Sequence, residues 1–226
     1  MSDTKMFVEV CEKNLNLLQE DPNLTFYKSL PLCILDAVFS IGVHYSSVIN
    51  VEKNYIDFFK LSISRSSEEN EHTVADFLKN IDTCTSIEEF ASKVLHNSQR
   101  TSSQNGILKA EACRLVAEIF KKHNINTLRN FRNCSDKEAL DRDILAVPGQ
   151  GSGIMLKYLY MLAGDSDTCK PDRHVTNFIK GVCPDIISHE EIQELMVSAV
   201  ETLKEKYPLM TVRLLDFAIW AYQRDK

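Results

Sequence analysis

The chain is poor in the residues that build tight turns. It has 7 glycines and 6 prolines among 226 residues, which is few for a sheet-rich fold with its many turns. No segment alternates between apolar and polar residues over the length of a strand, and no internal repeat is present. Apolar residues instead recur at helical spacing. The sequence therefore predicts an all-α fold of about ten helices.

Signals for export, membrane insertion and disulfide formation are also missing. No apolar run reaches the roughly 18 residues of a membrane span, and the N-terminus MSDTKMFVEV lacks the basic-then-apolar layout of a secretion signal. The number of cysteines, 7, is odd, and none belongs to a CxxC pair. We therefore interpret the cysteines as reduced thiols. We expect an intracellular protein without a membrane partner, cytoplasmic or nucleoid-associated in a bacterium and nuclear in a eukaryote.

A basic surplus is absent as well. The formal net charge is -6 and the pI about 5.6, whereas nucleic-acid-binding domains are usually basic. Because salt screens charges within roughly 8–10 Å, an acidic protein can still carry a local basic face. The basic residues on either side of residues 147–153 form such a phosphate-binding strip or, equally, a solvated helix surface. They are Arg100, Lys109, Arg114, Lys121, Lys122, Arg129, Arg132, Lys157, Lys170, Arg173 and Lys180.

Helical periodicity divides the chain into successive segments. The most apolar stretch, residues 30–61, predicts two helices with a break near Tyr45–Asn50. Thr73 is expected to cap the helix that follows it, and a further helix is expected to begin at Asp136. Further helices are predicted from Asp3 or Thr4 to Leu18 and at residues 73–81, 86–95, 107–123, 136–145, 154–163, 172–182, 190–206 and 211–222.

The stretch Val147–Gly153, with the sequence VPGQGSG, suggests a specific chemistry. Gly149 and Gly151 allow a tight turn between two helices, and the second helix begins with unpaired backbone N–H groups. Those donors and the helix dipole suit a phosphate, and Ser152 can donate a further hydrogen bond. The alternative is an αα-hairpin that needs its glycines only for close packing.

Together with KPDRHV further along the chain, this stretch resembles the signature of the helix-hairpin-helix DNA glycosylase superfamily, which includes the endonuclease III family. The apolar-Pro-Gly-x-Gly hairpin of that signature matches Val147–Gly151, and its aspartate matches Asp172 in the context of His174. More weakly, Leu32–Val48 and Gly106–Ala112 resemble two other helices of the family. The resemblance covers nearly the whole chain, although only the block from the hairpin to the aspartate is specific.

The resemblance implies a bilobal fold: a six-helix barrel lobe at residues 29–164 with the hairpin, and a second lobe from residues 1–28 and 165–226. A damaged or mispaired base in double-stranded DNA would be flipped into a pocket between the lobes. Asp172 would stabilise the oxocarbenium-like sugar or activate a water, although an aspartate at a helix start is also a common N-cap. The DNA phosphates would be held by Val147, Gly149, Gly151, Ser152 and Gly153.

The sequence departs from the family pattern at several positions. Gly153 stands where bifunctional members have their Schiff-base lysine, so lyase chemistry is not expected. No cysteine follows Cys183, so an iron–sulfur cluster is not expected either. We expect a monomer that uses no metal and no other cofactor. Gly42 lies nearest to the position where family members commonly have a gap-filling glutamine.

Five residues are pocket candidates. Gly42 would let a base approach closely, while His44 and Tyr45 offer a proton-transfer group and a stacking surface. Core or rim positions are the alternative for His44 and Tyr45. Lys157 and His174 complete the set, and a solvated side chain is the alternative for Lys157.

Three functions remain open on the sequence. The first is a monofunctional DNA glycosylase of base-excision repair that acts through Asp172. The second is a non-catalytic DNA-binding helix-hairpin-helix protein, supported by the missing lysine, the changed gap-filling position and the acidic pI. The third is an αα interaction protein without affinity for DNA.

Overall fold

The computed structural model describes residues 3–17, 29–62, 71–186 and 188–224. Within these ranges the regular elements are helices, and the only β pairing is an isolated bridge between Arg100 and Leu108. The expected all-α class is thus confirmed. The first helix ends at Asn14, and residues 15–17 are not helical, so its predicted end near Leu18 is wrong. The predicted lobe boundary at residues 28 and 29 adjoins residues 18–28, which lie outside the described ranges.

The chain divides into two compact units, one made of residues 1–25 and 164–226 and the other of residues 26–163. The described helices of the 26–163 unit include a short α5 that continues as a π-helix at Phe90–Val94. In chain order they are α2 (Leu30–Phe39), α3 (Tyr45–Phe59), α4 (Val74–Ile81), α5 (Ile87–Glu89), α6 (Lys109–Lys122), α7 (Leu128–Arg132), α8 (Lys137–Leu145) and α9 (Ile154–Leu162).

Helix α2 is the centre of the 26–163 unit. All of its residues are buried, and it packs against α3, α4, α6 and α9. Such an environment is expected for a helix that is apolar on every side. The first residue of α6, Lys109, is only 3% exposed, and its Nζ donates to the carbonyl oxygens of Phe39 (3.1 Å) and Ile41 (2.7 Å). Lys109 thereby pairs carbonyl groups that the end of α2 leaves without intrahelical partners.

The break between α2 and α3 lies earlier than the sequence predicted. Helix α2 ends at Phe39 and α3 begins at Tyr45, so the predicted break at Tyr45–Asn50 is wrong. Gly42, with φ 70°, adopts a left-handed conformation between the two helices. The apolar pattern runs on across this turn, so periodicity alone did not locate it.

Local capping fixes several other helix starts. Thr73 and Asp76 form a reciprocal capping box at the start of α4, and the side chain of Asp136 accepts the N–H of Ala139 (3.0 Å) at the start of α8. The predicted cap at Thr73 and the predicted helix start at Asp136 are confirmed. The short α7, which begins after a capping box at Thr127, was not predicted.

The unit made of residues 1–25 and 164–226 contains α1 (Asp3–Asn14), α10 (Arg173–Val182), α11 (His189–Leu203) and α12 (Val212–Arg224). Helix α1 packs against α10 and α11, and α12 packs against the same two helices. The apolar face of α1, with Phe7 and Cys11 fully buried, forms part of the core of this unit.

None of the seven cysteines forms a disulfide; five are buried, and Cys84 and Cys134 are partly exposed. Burial raises the pKa of Cys11 to about 12, with smaller contributions from Cys183 and Glu12. Buried thiols of this kind act as small apolar side chains. Among the described helices, none is both long and apolar enough to cross a bilayer.

Candidate functional site

The hairpin predicted at Val147–Gly153 connects α8 to α9 in the 26–163 unit. Consecutive backbone hydrogen bonds close it: Val147 donates to Ile144 (3.1 Å), Gln150 donates to Val147 (2.9 Å), and Gly153 donates to Gln150 (3.0 Å). The Val147 side chain is 5% exposed, as expected for apolar packing between the two helices. The turn is therefore closed by backbone hydrogen bonds and held in place by the buried side chain of Val147.

Gly149 and Gly153 are the glycines that this turn requires. Their φ angles are 87° and 75°, in the left-handed region that side chains disfavour. A Cβ on Gly149 would also stand 2.4 Å from Cβ of Thr101. Gly151 has no such restriction, and a Cβ there would lie 3.8 Å from the carbonyl oxygen of Leu145. The expectation that Gly151 shapes the turn is therefore wrong, and Gly153 takes that role.

The outer surface of the hairpin presents unpaired backbone donors. Gly149, Gly151 and Ser152 are exposed, and their N–H groups reach no acceptor within the described ranges. Gln150 points the other way: its side chain is 3% exposed, and its Oε1 has no hydrogen-bond partner in the described part of the chain. The surface of the turn thus consists mainly of backbone, which a phosphate oxygen can approach closely.

The proposed basic strip is weaker than its sequence suggested. Lys109 is buried and bound to carbonyl groups of residues 39 and 41, so it is unavailable to a phosphate. Arg114 pairs with Glu118 (2.9 Å), and Lys122 pairs with Asp143 (2.7 Å). Two further side chains, Arg100 and Arg132, donate to backbone carbonyl groups. Lys121 and Arg129 are exposed.

Asp172, in the unit made of residues 1–25 and 164–226, is the N-cap of α10. Its Oδ1 accepts the N–H groups of His174 (2.8 Å) and Val175 (3.2 Å), which confirms the N-cap interpretation. The residue is half-buried, and Oδ2 accepts no hydrogen bond from the described residues. The start of α10 therefore engages only one of the two carboxylate oxygens.

A second carboxyl group, which the sequence analysis did not single out, interacts electrostatically with Asp172. Asp216, in α12, is 8% exposed, and its Oδ1 accepts the N–H of Lys170 (2.8 Å). Burial, and next the charge of Asp172, raise the pKa of Asp216 to about 7. The available signal was a single acidic residue within the apolar sequence LLDFAIWAY.

The turn between α2 and α3 brings three pocket candidates together. Gly42 is exposed, and a Cβ there would meet nothing within 4 Å. His44 is exposed at the N-cap of α3 without a capping bond from its side chain. Tyr45 is 36% exposed, and its hydroxyl donates to Oδ2 of Asp36 (3.2 Å). This turn thus offers an open surface with a histidine and a tyrosine.

Asp36 was also missed by the sequence analysis. It is fully buried in α2, and it accepts hydrogen bonds from Tyr45 and, at 3.4 Å, from the hydroxyl of Tyr158 in α9. A charged residue inside the apolar sequence LPLCILDAVF was the signal. Asp36 holds the tyrosine at the start of α3 against the central helix.

The remaining pocket candidates belong to different units. Lys157 is partly exposed in α9, where its backbone N–H donates to the carbonyl oxygen of Gly153. His174 is partly exposed in α10, and its backbone is engaged by Asp172. Across the described residues, no group of three or more histidine, cysteine, aspartate or glutamate side chains could hold a metal ion.

Comparison with known families covers both candidate elements. A family model described as a domain of unknown function, DUF8548, matches residues 5–224. The chain belongs to the DUF8548 family. No curated protein and no solved structure matches it. For this DUF8548 chain, a functional assignment therefore rests on the chemistry of its own residues, above all the hairpin at Val147–Gly153 and the carboxylate of Asp172.

Proposed function

We propose that the chain is a monofunctional DNA glycosylase, which hydrolyses the N-glycosidic bond of a flipped damaged or mispaired base. The observation that carries the proposal is the Asp172 carboxylate, held rigidly through Oδ1 by two backbone donors while Oδ2 accepts no bond from the described residues. A carboxylate so fixed needs little reorganisation when positive charge develops next to it.

The chemistry requires little more than this carboxylate and a water. The bond between C1′ of the sugar and the base nitrogen breaks, its electron pair leaves with the base, and positive charge develops on the sugar. Water then adds to C1′ and gives up a proton. Asp172 stabilises the positive charge or accepts that proton.

The hairpin supports DNA as the substrate. Its exposed turn presents the unpaired N–H groups of Gly149, Gly151 and Ser152 at the start of α9, and such a surface binds phosphate oxygens without any side-chain charge. This binding mode is compatible with a net charge of -6, because the donors are neutral peptide groups.

Gly153 supports hydrolysis without lyase chemistry. It has no amine to form a Schiff base with the sugar. Its φ of 75° is also a conformation that a lysine would adopt only with strain. The product expected is therefore an abasic site, with the sugar-phosphate backbone intact.

The test is base release from duplex oligonucleotides that carry a panel of lesions and mismatches, scored with and without alkali. The parent protein should give strand breaks only after alkali treatment, and Asp172→Asn should lose them. Asparagine is a good N-cap, so this variant keeps the start of α10. Asp136→Asn is the matched control, because Asp136 caps α8 in the same manner, and it should remain active.

One observation favours a second candidate, a non-catalytic DNA-binding protein. The two hydrogen bonds that Asp172 accepts at the start of α10 are by themselves a sufficient structural reason for an aspartate there. Under this alternative, no lesion in the panel is processed, and the parent and Asp172→Asn bind DNA equally. Loss of alkali-dependent breaks in Asp172→Asn alone contradicts it.

A further inference from the structure

The segment that leads into α10 is fixed from the side by α12. Asp216 of α12 accepts the N–H of Lys170 at 2.8 Å. Two residues later, the N–H of Asp172 donates back to the carbonyl oxygen of Lys170 at 2.7 Å. The peptide that carries the candidate catalytic carboxylate is thus tied directly to a carboxyl group in the core of the same unit.

The surroundings of Asp216 disfavour its charge. It is only 8% exposed, and of the described charged groups that act on it, Asp172 repels its negative charge while Lys170 and Arg213 attract it. Helix α11, which also packs on α12, contributes none of these charges. Burial and the charge of Asp172 together outweigh the attraction, and the pKa of Asp216 rises to about 7.

We infer that Asp216 is a positioning residue for Asp172: its buried carboxyl group accepts the N–H of Lys170 and so holds the peptide that carries Asp172, and the two side chains form an electrostatically coupled carboxyl pair whose proton lies on Asp216. In this state Asp216 fixes the peptide of residues 170–172 without adding a second negative charge beside DNA. When Asp216 loses its proton, it adds a negative charge, which repels the phosphate backbone. The role of this pair in base release rests on the proposed function, but its existence does not.

The first measurement needs no activity. The full-length protein is labelled with aspartate that carries ¹³C at the carboxyl carbon, and the pair is titrated by NMR; Asp216→Asn assigns the signal. The midpoint of Asp216 should lie near 7 in the parent and fall by about half a pH unit or more in Asp172→Asn, since a like charge is removed. Asp185→Asn, an exposed aspartate that does not act on Asp216, should leave it unchanged.

The second measurement is the pH profile of kcat/KM for base release. With a midpoint near 7, the fraction of protonated Asp216 falls about tenfold between pH 6 and pH 8, and the rate should fall with it. Asp216→Asn keeps an acceptor for Lys170 and cannot ionise, so its profile should lack this step. If Asp216 had only a structural role, the Asp216→Asn variant would keep the step in its pH profile.

The two measurements separate the inference from the proposed function. The inference is overturned if Asp172→Asn does not move the Asp216 midpoint, a result that does not depend on activity. It is also overturned if Asp216→Asn keeps the step in kcat/KM. If the midpoint moves as expected and no substrate is processed, the carboxyl pair stands and the proposed glycosylase function fails.

Discussion

Gly149→Ala tests how strictly the hairpin depends on its glycines. The substitution puts a side chain on a residue with φ 87° and brings its Cβ to 2.4 Å from Cβ of Thr101. Real Cβ atoms do not approach each other so closely, so the turn or residue 101 has to move. We expect a large loss of stability with no change in net charge.

The size of this loss follows from three contributions. A left-handed conformation costs an alanine roughly 1–2 kcal/mol, and overpacking a tight site costs about 1–3 kcal/mol. Alanine has fewer backbone conformations than glycine in the unfolded state, and this difference offsets about 0.4–1 kcal/mol of the cost. The net expectation is a loss of about 3 kcal/mol. With a urea m-value of about 2 kcal/mol/M, the midpoint falls by roughly 1.5 M.

The assay is urea denaturation followed by far-UV circular dichroism, with Gly151→Ala as the matched control. A double variant, Gly149→Ala with Thr101→Gly, lacks one of the two clashing carbons, so it should lose less stability than the two single variants added together. A Gly149→Ala protein within about 0.5 kcal/mol of the control would refute the argument, because surface changes alone stay within that range.

The remaining predictions concern binding, a buried cation and pH. Gly151→Ala adds a Cβ with ordinary contacts on the exposed turn, so it should keep its stability and lose about fivefold in DNA affinity by anisotropy, the equivalent of one hydrogen bond; unchanged affinity would count against phosphate binding. Lys109→Met keeps the volume but leaves the carbonyl groups of Phe39 and Ile41 without their donor, so urea denaturation should show a loss of about 2–4 kcal/mol; a variant as stable as the parent contradicts that role. The raised pKa of Asp216, about 7, gives the folded state a proton that the unfolded state loses above its ordinary pKa near 4; stability is therefore lost as pH rises from about 4 to 7. Asp216→Asn should match the parent at pH 4 and exceed its urea midpoint at pH 8 by an amount equivalent to a few kcal/mol, and equal midpoints at pH 8 contradict the assignment.

The sequence predicted the features that depend on neighbouring residues. Thr73 was identified as a cap and Asp136 as a helix start, because a capping side chain and the backbone N–H that it accepts lie three residues apart. Asp172 was identified as an N-cap for the same reason. The break between α2 and α3 was misplaced because Gly42 lies inside an apolar stretch and no capping side chain marks the start of α3. The five-residue α7 is too short to show a period.

The features that sequence reasoning missed depend on contacts between distant segments. Lys109 was assigned to a surface strip, whereas its acceptors lie 70 and 68 residues earlier in the chain. Asp36 and Asp216 are single acidic residues within apolar sequences, and each has a hydrogen-bonding partner on another segment. A charged residue inside an apolar run indicates a buried polar contact. The identity of the partner follows only from the packing of the helices.

The pairing of α1 with α10 and α11 has a consequence for synthesis of the protein on the ribosome. Helix α1 ends at Asn14, whereas α10 begins at Arg173. At about 5–20 residues per second, the apolar face of α1 waits for roughly 10–30 seconds before its partners have been made. During that interval Phe7 and Cys11, which are fully buried in the finished unit, are exposed on a nascent chain. Chaperones that bind short apolar segments therefore have their longest opportunity at this helix.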